Sequence, residues 1–190
     1  MHQSSKSIHI ILFSILVGMT LIACNEEKVR KREIEKQKAI EIRLQQLEDR
    51  EEIRQLLINY GRYLDQRDFA AFSKLFAEKD GEWIGGMGQA KGSQAIRRFM
   101  EKSIGIKTAS QNTSFHLFTN EFIRLAGDRA TAITKWIFMV RNQASHPQPA
   151  IMGHYEDELV RENGHWKFLK RTVYADIPTD DLLKTGNKQK

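Results

Sequence analysis

Residues 150–175 read AIMGHYEDELVRENGHWKFLKRTVYA. Apolar and polar residues alternate on both sides of Asn163-Gly164. A period of two marks a strand with one face on a core. Asn-Gly supplies the two positive-φ residues of a tight turn, so the stretch predicts antiparallel strands over 150–162 and 165–175. Working outward, the same alternation runs through 129–142 and 113–125. Turn signals separate the runs at Gly127-Asp128 and from Ser145 to Pro149. Four such runs predict an antiparallel meander.

Before residue 112 the period is helical. Ile53, Leu56, Leu57, Tyr60 and Leu64 share one helical face, with Asp49 as N-cap and Glu51 and Glu52 in the first turn. A helix running straight through from the preceding segment would leave that cap unused. Asp68 caps a second helix reaching Phe76, and Gly92-Ser93 opens a third through Ile96, Phe99 and Met100. Glu82 to Met87 predicts a short strand, closed by Gly85, Gly86 and Gly88. The expected class is α+β: three helices on a curved, mainly antiparallel sheet, with a pocket between the layers.

Composition narrows the function classes. The chain has 190 residues, 41% of them hydrophobic, and a single Cys. One Cys excludes a disulfide framework and a cysteine-rich metal site, and the hydrophobic content argues against disorder. The formal net charge of +6 is spread along the chain, without a basic block interleaved with aromatics, so no nucleic-acid partner is expected. No phosphate-binding loop, nucleophile elbow or internal repeat is present. No metal-ligand constellation appears among the six His.

The N-terminus reads as an export signal. After Lys6, Ile8 to Ala23 is almost wholly apolar and ends in Leu21-Ile22-Ala23-Cys24. Such a run is shorter than the ~20 residues of a membrane span and suits a signal-peptide core. Its end resembles the lipobox of bacterial lipoproteins; an uncleaved anchor helix is the alternative. The resemblance implies a signal peptide at 1–23 and a mature chain starting at Cys24. Lipid on that Cys, palmitate included, would hold the protein to the extracytoplasmic face of a bacterial cell membrane, inner or outer. Residues 24–48 then form the lipidated Cys and a charged helical spacer. Asn25 to Glu48 holds seven Lys/Arg and six Asp/Glu. A domain at 49–178 and a polar tail at 179–190 complete the chain.

Two residues stand out chemically. Asp65 lies at a helix C-terminus, where its charge opposes the macrodipole. Gly61 one turn earlier leaves room beside it. His116 shares a strand face with Phe118, Asn120 and Phe122, either as a satisfied core histidine or as a base.

Several stretches carry a family resemblance: Asp49-Arg50-Glu51-Glu52-Ile53, Tyr60 with Leu64-Asp65 and Asp68-Phe69, and Gly81-Glu82-Trp83. His116-Leu117-Phe118-Thr119-Asn120, Gly153-His154-Tyr155-Glu156-Asp157 and Gly164-His165-Trp166-Lys167-Phe168 with Lys170-Arg171 follow in order. The chain resembles the SnoaL-like branch of the nuclear transport factor 2-like superfamily. That branch includes scytalone dehydratase, hexachlorocyclohexane dehydrochlorinase and bile acid 7α-dehydratase. The resemblance implies a cone-shaped fold with Asp65, His116 and Tyr60 as catalytic residues. Arg171 would bind a substrate oxygen or carboxylate, or stand as an exposed strand arginine, and Trp83, Tyr155 and Ile151 would line an apolar wall. Two departures prevent transfer of a specific reaction: the run 129–142 has no His, and Tyr60 stands where the dehydrochlorinase has Lys. The implied activity is a cofactor-independent lyase (dehydratase) or isomerase acting on a small hydrophobic molecule. A non-catalytic ligand-binding or accessory lipoprotein is the alternative, and a structural partner domain is the third reading. Homo-oligomers, dimer or trimer, are expected.

Overall fold

The computed structural model describes residues 4–105 and 114–177, and for 4–25 the helical course of the backbone alone. The export signal at 1–23, the lipidated Cys24 and the tail at 179–190 lie outside the residues whose side chains it describes. The chain divides into two compact units, Met1–Leu47 and Glu48–Lys190. In the first, residues 26–47 are exposed helix, with Lys31 paired to Glu27 one turn away. Among the described residues no helix is long and apolar enough to cross a membrane.

The second unit is built on the hairpin at Asn163-Gly164. Both residues have positive φ, 53° and 81°, as a type I′ turn needs. The turn joins β5 (Pro147–Glu162) to β6 (His165–Ile177); β3 (Ser114–Ala126) and β4 (Arg129–Arg141) precede them. All neighbours in this series pair antiparallel. β1 (Glu82–Gly85) pairs parallel with β6, and β2 (Gly88–Lys91) pairs antiparallel with β1. The six strands therefore run in the order β2-β1-β6-β5-β4-β3. The second short strand was not expected from sequence. Gly88, with φ of 131°, reverses the chain where the glycine cluster suggested only an end.

Helix α1 (Ser4–Gln66) is helical through residue 49, so Asp49 does not cap it. Its carboxylate instead pairs with Arg161 of β5. Helix α2 (Phe69–Ser73) starts where predicted, with Asp68 accepting from the Ala71 N–H at 2.9 Å. It ends before Phe76 because the chain there joins the sheet edge. Phe168 N–H donates to Leu75 O, and Ala77 N–H donates to Phe168 O. Helix α3 (Ser93–Ile104) is tied to the end of α2 by Ser93 Oγ, which donates to Ser73 O at 2.8 Å.

Register shifts in three strand pairs bend the sheet over the helices. The shift between Thr119 and Phe122 also corrects one expectation. Asn120 has φ of 55°, and the irregularity inverts the alternation beyond it. Phe122 is therefore 52% exposed and Ile123 is buried, while His116 and Phe118 face inward.

Candidate functional site

Between sheet and helices lies a cavity of about 740 Å³. Tyr60, Asp65 and His116 all line it. Asp65 reaches it from the last turn of α1, and His116 from the start of β3.

The two are hydrogen-bonded at two points. Asp65 Oδ2 accepts from the His116 backbone N–H at 3.0 Å, and Oδ1 lies 2.6 Å from His116 Nδ1. The carboxylate only accepts, so Nδ1 carries a proton. In a neutral imidazole Nε2 is then the basic nitrogen. Their side chains are 14% (His116) and 22% (Asp65) exposed. The ring also packs on Phe138, with centroids 4.7 Å apart. The two bonds offset the unfavourable position of Asp65 at a helix C-terminus.

Tyr60 is buried, and its hydroxyl accepts from Trp83 Nε1 at 2.9 Å. An indole N–H can only donate, so the phenol proton is directed elsewhere. Burial pushes this phenol above its ordinary range, against the nearby Arg171 charge and the Trp83 bond. Tyr60 is thus a proton donor at neutral pH. Trp83, Ile151 and Tyr155 line the cavity as well. Burial holds the Tyr155 phenol well above its ordinary range.

Arg171 is a correction. It neither lines the cavity nor stands exposed on a strand. Its side chain is 1% exposed, behind Tyr60 and Tyr155, with its guanidinium carbon 4.0 and 4.3 Å from their ring centres. Nε and Nη2 each bond Asp157 at 2.7 Å, one to each carboxylate oxygen. Burial pulls Arg171 down, but Asp157 more than offsets this and raises it. Burial also pushes the Asp157 carboxyl up, against Arg171. The geometry makes the pair two ions. Two donors on two oxygens suit a carboxylate, whereas a carboxylic acid would set its proton against one of them.

The space beside Gly61 is also used differently. A Cβ there would meet the Phe118 ring at 2.0 Å, so the glycine admits that ring. His154 bonds Asp176 at 2.7 Å, stacks on Tyr174 and does not line the cavity. Trp136, Phe138 and Arg67 line it without having been singled out from sequence. Alternation along 129–142 could have found the first two. Among the described residues, no cluster of three or more His, Cys, Asp and Glu could hold a metal ion.

A family model for the SnoaL-like domain matches residues 45–172. The chain belongs to this SnoaL-like family. Solved structures agree on the fold of the SnoaL-like domain. An NTF2-like protein with a cystatin-like fold from Novosphingobium aromaticivorans is 25% identical, with a TM-score of 0.63 over 76% of this chain and 94% of that one. A hexachlorocyclohexane dehydrochlorinase (LinA, type 2) is 20% identical, with a TM-score of 0.57 over 70% and 89%. Rv3472 of Mycobacterium tuberculosis, a protein of unknown function, is 21% identical, with a TM-score of 0.60 over 72% and 77%. The sequence has no match among curated proteins. The SnoaL-like cavity thus combines an apolar wall, an oriented imidazole and a buried phenol donor.

Proposed function

We propose that the protein is a membrane-anchored, cofactor-independent lyase (dehydratase) or isomerase acting on a small hydrophobic molecule. The two-point bond between Asp65 and His116, inside the cavity, carries this reading. His116 Nε2 takes a proton from a carbon next to a carbonyl, and Asp65 favours the imidazolium that forms. In dehydration the C–H electron pair becomes a double bond as hydroxide leaves the adjacent carbon. Tyr60 gives that hydroxide its proton and is reprotonated from His116, so water departs and the site is restored. In isomerisation His116 returns the proton at another carbon. Acid–base positioning of this kind gives ~10²–10⁴-fold. The apolar wall contributes binding and orientation beyond that.

The lipobox-like end at Cys24 supports anchoring outside the cytoplasm. The exposed Phe122, Ile133 and Tyr174 support association of copies into a dimer or trimer. Incubating the full-length chain and its His116→Ala variant with an extract of small hydrophobic metabolites tests the activity. Mass spectrometry should find a compound that loses water or isomerises with wild type alone. Retention of one unaltered compound by both proteins would instead indicate a ligand-binding lipoprotein.

A further inference from the structure

Arg67 ends α1 in a conformation that its side chain disfavours. Its φ is 60°. Its N–H bonds Leu64 O at 3.2 Å, and the following Asp68 N–H bonds Tyr63 O at 2.9 Å. This is the left-handed closure of a helix C-terminus, which glycine adopts without steric cost. An arginine stands there, half-buried, lining the cavity. Its side chain makes no hydrogen bond with any described residue. Burial pulls its pKa down, against the charge of Asp65. Asp65 is itself engaged by two bonds to His116. No other Lys or Arg lines the cavity among the described residues, and the wall around it is mainly apolar.

A half-buried cation kept at a strained position needs a reason, and the cavity suggests one. We propose that Arg67 binds a carboxylate of the substrate, so that the substrate is an apolar body bearing an acid group. The planar guanidinium fork matches a carboxylate at two points. This deepens the acid–base reading by naming a substrate class, and it rests on that reading for the identity of the site. The competing role is a counter-ion for Asp65 alone, which would favour no anionic ligand.

The test is a titration of the purified full-length chain at neutral pH with 2-naphthoate and its neutral amide, 2-naphthamide. Wild type should bind the acid about ten- to a hundredfold more tightly. Arg67→Gly should abolish that preference, leave the amide affinity within about threefold, and raise the melting temperature by relieving the backbone. Arg67→Asn, which also tolerates this φ, should abolish the preference too. The proposal is overturned if wild type shows no preference, if the preference survives in either variant, or if Arg67→Gly weakens both ligands equally. Failure of both probes to bind at about 1 mM also overturns it. Neither probe needs to react. The acid–base reading fails separately, if His116→Ala turns over a metabolite as wild type does.

Discussion

Replacing Arg171 with Met would leave Asp157 buried without its partner. The Asp157 side chain is 0% exposed, and both of its oxygens are used by Arg171. Three aromatic rings also lose the guanidinium that packs on them, those of Tyr60, Tyr155 and Phe168. A buried carboxylate left alone takes up a proton. At pH 7 that costs about 1.4 kcal/mol per pH unit above an unfolded value of about 3.9, or roughly 4 kcal/mol. The figure agrees with the ~3–5 kcal/mol found on breaking buried ion pairs. For a domain of this size the melting temperature should fall by about 10–15 °C. The sign with pH follows from linkage. Burial already raises the folded-state pKa of Asp157 and loss of Arg171 raises it further, so its contribution is fully present below about pH 3.9 and lost as pH rises through the folded value. The deficit should therefore shrink by about 1.4 kcal/mol per unit as the pH is lowered from 7 towards 5. Urea unfolding at several pH values measures this. Arg171→Met with Asp157→Leu should recover most of the loss, since no buried charge remains. A loss below about 1 kcal/mol at pH 7, or one that is flat with pH, would mean that Asp157 and Arg171 are not a buried ion pair.

Tyr60→Phe removes the acceptor of a buried indole N–H and should cost about 1–3 kcal/mol in urea unfolding. Adding Trp83→Phe should return part of that by removing the orphaned donor. Gly61→Ala gains about 1 kcal/mol of helix propensity but displaces the Phe118 ring, at about 1–3 kcal/mol. A net loss is expected, and a rise in stability would count against the contact. Asp176 is held below the usual carboxylate range, chiefly by its hydrogen bond from Lys135. Its contribution to stability is present above the unfolded value and lost as pH falls through the folded one. Lys135→Met should move its titration upward, as read by carboxyl-carbon NMR.

The sheet was legible because its cues are local. Alternation and Asn163-Gly164 specify strand faces and a turn type within a few residues. The irregularity at Thr119–Phe122 was not legible, since nothing in the residue types breaks the alternation there. Alternation alone therefore puts Phe122 on the wrong face. Asp65 and His116 could be named from sequence, but their contact spans 51 positions and depends on how α1 meets β3. Arg171 shows the converse. The family resemblance implies a substrate-binding or an exposed arginine there, and only the placement of Asp157 across the hairpin reveals a buried ion pair. Arg67 left no pattern in the sequence, because a positive φ at an arginine cannot be read from the residue itself.

The proposed step is a proton moved at carbon by His116, which Asp65 orients. Its most direct test is to incubate wild type, His116→Ala and Asp65→Asn with the metabolite extract in heavy water and to follow masses over time. A compound should gain deuterium at carbon or lose water with wild type, and do so far more slowly or not at all with either variant. The same change at the same rate with His116→Ala would contradict it.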